Sequence, residues 1–191
     1  MAQREQKTSP CWGFLTVVEH EQFGLFGGYL LLNTNGRPLE FHCTAPVKPN
    51  RAQQILYGPT LEPYLYGEHI GQSLLAKASQ IPLAIFTDLR AMLAVREYAT
   101  QPVAWAIPEN NPGLRIAATP TADKLLQPQI AELLNFSCAG QSLAVWPDRY
   151  EDQNTLQAVA KEFELALDLQ EPFGRIRGAI EEAQKLSAKA A

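Results

Sequence analysis

His42 and Cys43 stand side by side, an imidazole and a thiol that together could hold a metal ion or form a base and nucleophile pair. They fall within residues 38–44, which alternate apolar and polar types as a strand does, and neighbouring strand residues point to opposite faces. The pair therefore cannot share one ion without a bulge. The alternation sets Leu39, Phe41 and Cys43 on one face and Glu40, His42 and Thr44 on the other. This predicts Cys43 as an inert core thiol and His42 as a solvent-side residue. A wider grouping of Cys11, His20, His42 and His69 has none of the spacings of a zinc site, so no metal is expected.

Asp88 follows an apolar stretch, residues 82–87, and precedes a helix-forming one, where open α/β sheets place ligand-binding carboxylates. There it could hold a metal or a ribose hydroxyl. Arg90, in the helix's first turn, and Thr119 and Thr121, from the end of another strand, would complete such a ligand site. Asp88 or Thr87 also reads as a plain helix cap, a role that stabilises by about 0.5–2 kcal/mol and accounts for the residue fully. The glycine-rich phosphate loops, the GxSxG elbow, the HExxH zinc motif and an Asp…ExK nuclease core are all missing from the chain. No catalytic residue is assigned and no cofactor is expected.

Residues 47–66 collect Lys48, Arg51, Tyr57, Tyr64 and Tyr66 with three prolines. Tyrosine and arginine are enriched at protein interfaces, and prolines keep such a surface rigid, so this segment is the candidate interface. Tyr57 and Tyr64 also read as core-edge residues with a polar tip in water. Two basic residues give too little charge for nucleic-acid affinity.

The elements that position these residues follow from local pattern. Residues 12–20 and 26–33 read as strands, and Asn35-Gly36 between the second of these and residues 38–44 is a type I′ hairpin signal, giving an antiparallel meander. Gly27-Gly28, inside the second strand, predicts a bulge or a close backbone approach. Asn50 with Gln53 forms a capping box for a short helix, and Gly58-Pro59 stops it. A second helix runs from Thr60 to about Ser79, with Gly67 and Gly71 spaced for tight crossing over a neighbour. A strand at 82–87, a helix at 88–98 and a strand at 103–107 make a β-α-β unit. A further strand is expected at 114–119, helix formers occupy 121–135, and 142–146 reads as a last short strand. Two helices then follow, carrying Leu156, Val159, Ala160, Phe163 and Leu167, and Ile176, Ala179, Ile180, Ala183 and Leu186, with Pro172-Phe173-Gly174 as the break.

The chain has 191 residues, 46% of them apolar, which suffices for a real core and excludes global disorder. A net charge of −4 lacks the positive field needed for nucleic acid or anionic membranes. Three scattered cysteines and no long apolar run point to a reducing, cytoplasmic setting with no membrane span. The expected fold is α/β or α+β: a mixed sheet with an N-terminal antiparallel meander, a central β-α-β unit and a C-terminal helical hairpin. Residues 1–9 are expected to be disordered, 10–147 to form one mixed domain, and 148–191 to form a helical pair packed on that domain or on a partner. The function expected is a non-enzymatic interaction or assembly subunit of a larger cytosolic system, with a protein partner or a homo-oligomer. The alternative is a small-ligand or nucleotide binder, or an enzyme, at the strand ends near Asp88 and Thr119.

Overall fold

The computed structural model describes residues 9–108 and 133–190, without the side chains of 186–190. The strand expected at 114–119 and the helix formers at 121–132 lie outside the described residues. Among the described residues seven strands form one mixed sheet: β1 (Cys11–His20), β2 (Gly24–Asn33), β3 (Pro38–Cys43), β4 (Ala84–Thr87), β5 (Val103–Ala106), β6 (Leu134–Cys138) and β7 (Gln141–Val145). Their order is β3-β2-β1-β4-β5-β7-β6. The joints β1–β4 and β4–β5 are parallel, while β1–β2, β2–β3, β5–β7 and β6–β7 are antiparallel. The class is α/β or α+β, with an N-terminal meander and a C-terminal helix pair; β4 and β5 are parallel as the expected β-α-β unit requires, but their connection is 3-10 and not α-helical.

Helical segments cover both faces. Between β3 and β4 run α1 (Arg51–Tyr57), α2 (Leu61–Pro63), a π-helical stretch (Tyr64–Gln72) and α3 (Ser73–Leu75); a 3-10 stretch (Arg90–Glu97) joins β4 to β5. After β7 come α4 (Tyr150–Glu162) and α5 (Glu171–Ala190). On one face Phe14, Leu30, Phe86 and Leu143 pack with Leu156, Phe173, Ile176 and Ile180. On the other, Leu15, Leu31, Ile85 and Trp105 pack with Leu65, Ile70, Leu74 and Leu93. The strands at the centre are buried on both sides, as parallel strands must be.

Adjacent glycines let both layers down onto β2. A methyl group at Gly27 would strike Ile70 and Leu74 on one face, and one at Gly28 would strike Ile176 and Ile180 on the other. The close approach expected at this pair is therefore met twice, once per face. Gly67 and Gly71 do the same between helical segments, as expected for that spacing. A Cβ at either would lie 2.6 Å from Ala94 Cβ or from Val95 Cγ2, on the 3-10 stretch.

Several local expectations change. The meander hairpin is not type I′: Gly36 alone takes a positive φ (+74°) and its N–H closes the turn on the Asn33 carbonyl. The Asn33 side chain accepts from Asn35 and Arg37 N–H, which holds the loop without forcing Asn35 left-handed. The hairpin with two left-handed residues is instead β6–β7, at Ala139 (φ +49°) and Gly140 (φ +80°). Residues 134 and 135, assigned to a helix by their neighbours, begin β6. The Asn50–Gln53 capping box forms, at 2.8 and 2.9 Å. The second helix, expected as regular from Thr60 to Ser79, breaks into short 3-10, α and π pieces and ends at Leu75. Thr60 makes no cap; its hydroxyl donates to the Tyr57 carbonyl.

Pro172 does not break the C-terminal helices. It is the second residue of α5, where a missing N–H costs nothing. The break is 163–170, where Leu165 and Leu169 are buried, and the Gln141 side chain bonds both the Leu167 carbonyl and the Leu169 N–H. Gly67→Ala should lower stability by about 1–3 kcal/mol in urea denaturation, since the Ala94 backbone carbon, 2.8 Å from the new methyl, must move.

Candidate functional site

Asp88 follows β4 directly, and parallel pairing of β4 with β1 sets it beside Thr16. The buried Thr16 hydroxyl donates to Asp88 Oδ1 at 2.6 Å, and the Arg177 guanidinium of α5 pairs with Oδ2. The Asp88 side chain is only 6% exposed. Both oxygens are thus engaged, and the carboxylate fastens α5 to two strands instead of facing a ligand. Neither Asp88 nor Thr87 caps the helical stretch that follows, whose N-cap is Leu89 with no side-chain cap bond; the Thr87 hydroxyl instead accepts the Leu89 N–H at 3.2 Å, ahead of that stretch. Arg90 goes elsewhere, its guanidinium 6.0 Å from the ring centre of Trp146, which packs with the opposite-face core. Thr119 and Thr121 lie outside the described residues, so Asp88 and Arg90 are the two members of the expected ligand set that can be placed, and they diverge.

The β3 row turns out reversed in burial. Leu39, Phe41 and Cys43 share a face, as the alternation requires, but that face is exposed, and Cys43 is not the core thiol expected. The reason is position: β3 is an edge strand, and α5 packs across β1 and β2. The polar row is the sheltered one. Glu40 Oε2 lies 3.0 Å from His42 Nε2 and accepts the Ser79 N–H at 3.0 Å, and the Ser79 hydroxyl bonds Oε1. Burial opposes ionisation of Glu40, but the hydrogen bonds from Ser79 and His42 outweigh it and hold the carboxyl down at about 2.

Nearby, the Tyr29 ring lies over Gly13, whose missing side chain makes the room. Burial and then the proximity of Cys11 and Glu40 push its phenol up from the ordinary range, and among the described residues its hydroxyl has no partner. Burial, with Glu40 second, also raises the Cys11 thiol, which is inert as a nucleophile at neutral pH. Opposite these, the Arg96 guanidinium grips Asp152 with both arms, 2.6 and 3.0 Å, tying the 3-10 stretch to the first turn of α4. Among the described residues no group of three metal-ligating side chains occurs, and no helix is long and apolar enough to cross a membrane.

The candidate interface divides. Tyr57 and Tyr64 stack with ring centres 4.1 Å apart, and a hydrogen bond to Tyr64 raises Tyr57 above the usual phenol value. Tyr64 borders the core, as the core-edge reading expected, and so does Tyr66, which that reading left out; Tyr57 does not pack on the core, and Lys48 and Arg51 are exposed. The residues that sequence reasoning passed over are the partners: Thr16, Arg177, Ser79, and the pair Arg96 and Asp152. Thr16 left a trace as the one hydroxyl in an apolar strand; the others carry no local signature. No protein-family model matches the chain, and no curated protein or solved structure is similar enough to count as a match.

Asp88→Ala strands a buried hydroxyl and should cost about 1–3 kcal/mol in a denaturation midpoint, leaving α1 and its surroundings unchanged. Glu40 ionises more readily folded than unfolded, so its contribution is complete above the unfolded value near 4.5 and is lost as pH falls towards 2. The melting temperature of Glu40→Gln should therefore lie below wild type at pH 7, with the gap closing between about pH 5 and pH 2. A gap that stays constant with pH would show that ionisation of Glu40 contributes nothing.

Proposed function

We propose that this chain is a non-enzymatic interaction subunit of a cytosolic assembly, and that it docks a protein partner through α1. The observation that carries the reading is that α1 buries none of its seven residues, with Ile55 66% and Leu56 82% exposed. A helix this short is marginal in water, since nucleation costs more than one turn of hydrogen bonds returns. Here a complete capping box starts it and a left-handed Gly58 (φ +49°) ends it. Such local stabilisation, spent on a helix that adds nothing to its own core, fits a preformed ligand for an apolar pocket.

Arg51, one helical turn before Ile55, and Lys48, just before the helix, are exposed and basic, which favours a matching pocket that is apolar with an acidic rim. The alternative, a small-ligand or nucleotide site or an active site near Asp88 and Thr119, draws no support from Asp88, whose oxygens are taken up by Thr16 and Arg177.

Replacing both Ile55 and Leu56 with serine should leave stability within about 0.5 kcal/mol, because neither side chain is buried. Tagged wild type and this double variant, recovered from the native cells and compared by quantitative mass spectrometry, should differ in one stoichiometric protein that the variant loses. Equal recovery by both, or no stoichiometric protein with wild type, would overturn the reading.

A further inference from the structure

We propose that β3 pairs antiparallel with β3 of a second copy of this chain, about a two-fold axis at Phe41. This surface is separate from α1 and does not rest on the reading given to it. β3 ends the sheet, and among the described residues it is hydrogen-bonded on its β2 side only. The Thr44 N–H donates to the Gly27 carbonyl at 3.0 Å and Gly28 pairs with Cys43, so the even residues turn their backbone groups towards β2. Phe41 and Cys43 therefore turn theirs outward.

Edges are usually guarded by charge, proline or a bulge. The guards here are Pro38 and the register shift opposite Leu31 and Leu32, at the start of the strand, and Glu40, whose charge is taken up by Ser79 and His42; the ladder from Glu40 to Cys43 is regular. No Lys or Arg stands in the strand, and Phe41 is 39% exposed beside the exposed Leu39 and Cys43.

The occupant follows from complementarity. With Phe41 on the axis, the two Phe41 residues exchange both N–H···O bonds, a self-complementary contact that a two-fold dimer requires. Glu40 then falls opposite the second copy's His42, and His42 opposite its Glu40, so the Glu40–His42 pair that each copy already makes at 3.0 Å lies alongside the other's with opposite ends adjacent. A register centred on His42 would instead oppose like with like. The apolar row of each copy lies beside the other, extending the strip that α5 leaves open.

Sedimentation of the full chain should show a reversible dimer. Phe41→Pro removes the outward N–H without touching the β2 ladder and should weaken dimerisation by about a hundredfold, with a melting temperature unchanged at concentrations where both proteins are monomeric. Phe41→Lys, which sets two like charges on the axis, serves if the proline variant fails to fold. The register has its own readout. In Phe41→Cys combined with Cys43→Ser, the two new thiols face each other at about 5.5 Å between Cα atoms, within disulfide reach, and diamide should link the copies. Wild-type Cys43 should not link to itself, since this register sets the two Cys43 about 13 Å apart. The Ile55 and Leu56 double variant should remain dimeric. A monomeric wild type, a dimer that survives both Phe41 variants, or cross-linking through wild-type Cys43 instead of position 41 would overturn the proposal.

Discussion

The architecture hangs on two atoms that are absent from β2. With no Cβ at Gly27 or Gly28, one strand accepts a helical layer on each face at neighbouring residues, Ile70 and Leu74 above and Ile176 and Ile180 below. Any side chain there would lift one layer off the sheet, and close packing does not permit a gap to be shared out elsewhere. The seating of the π-helical stretch and of α5, and through them the positions of Gly67 and Arg177, follows from that approach.

Polar residues then act at the margins of the layers as fasteners. Asp88 joins β1 and β4 to α5, Arg96 and Asp152 join the 3-10 stretch to α4, and Glu40 joins the edge strand to Ser79. Each carboxylate is paired or hydrogen-bonded, which is what keeps a sheltered charge tolerable, and each spans elements far apart in sequence. A carboxylate at a strand end invites a catalytic reading, but its lone pairs decide its role. Here the fold consumes them.

What was legible in the sequence was whatever is local. The meander, the adjacent strands β4 and β5 and the Asn50 capping box depend on nearby residues, and their patterns survive in the fold, although the link between β4 and β5 is 3-10 and not α-helical. What was not legible depends on neighbours in space. The alternation of β3 gave its two faces but not which one is covered, because that is set by where α5 lies. Ala139 takes a left-handed conformation that its residue type does not announce, so the β6–β7 hairpin was hidden. Pro172 reads as a break in the sequence because a proline within the first turn of a helix and one before it look alike there. At the candidate site Asp88 was found at its expected place, while Thr16 and Arg177, 72 and 89 residues away, could not be inferred.

The central parallel joint has a consequence in time. The β1–β2 and β6–β7 hairpins close short loops, whereas pairing Trp12 with Ala84 closes a loop of about 72 residues, whose entropy must be met before any contact across it forms. Local hairpins therefore lead, and the parallel centre of the sheet is a late event on the way to the native state. Asp88, which can find Thr16 only after that joint exists, acts as a latch whose strength falls on the rate of unfolding more than on the rate of folding.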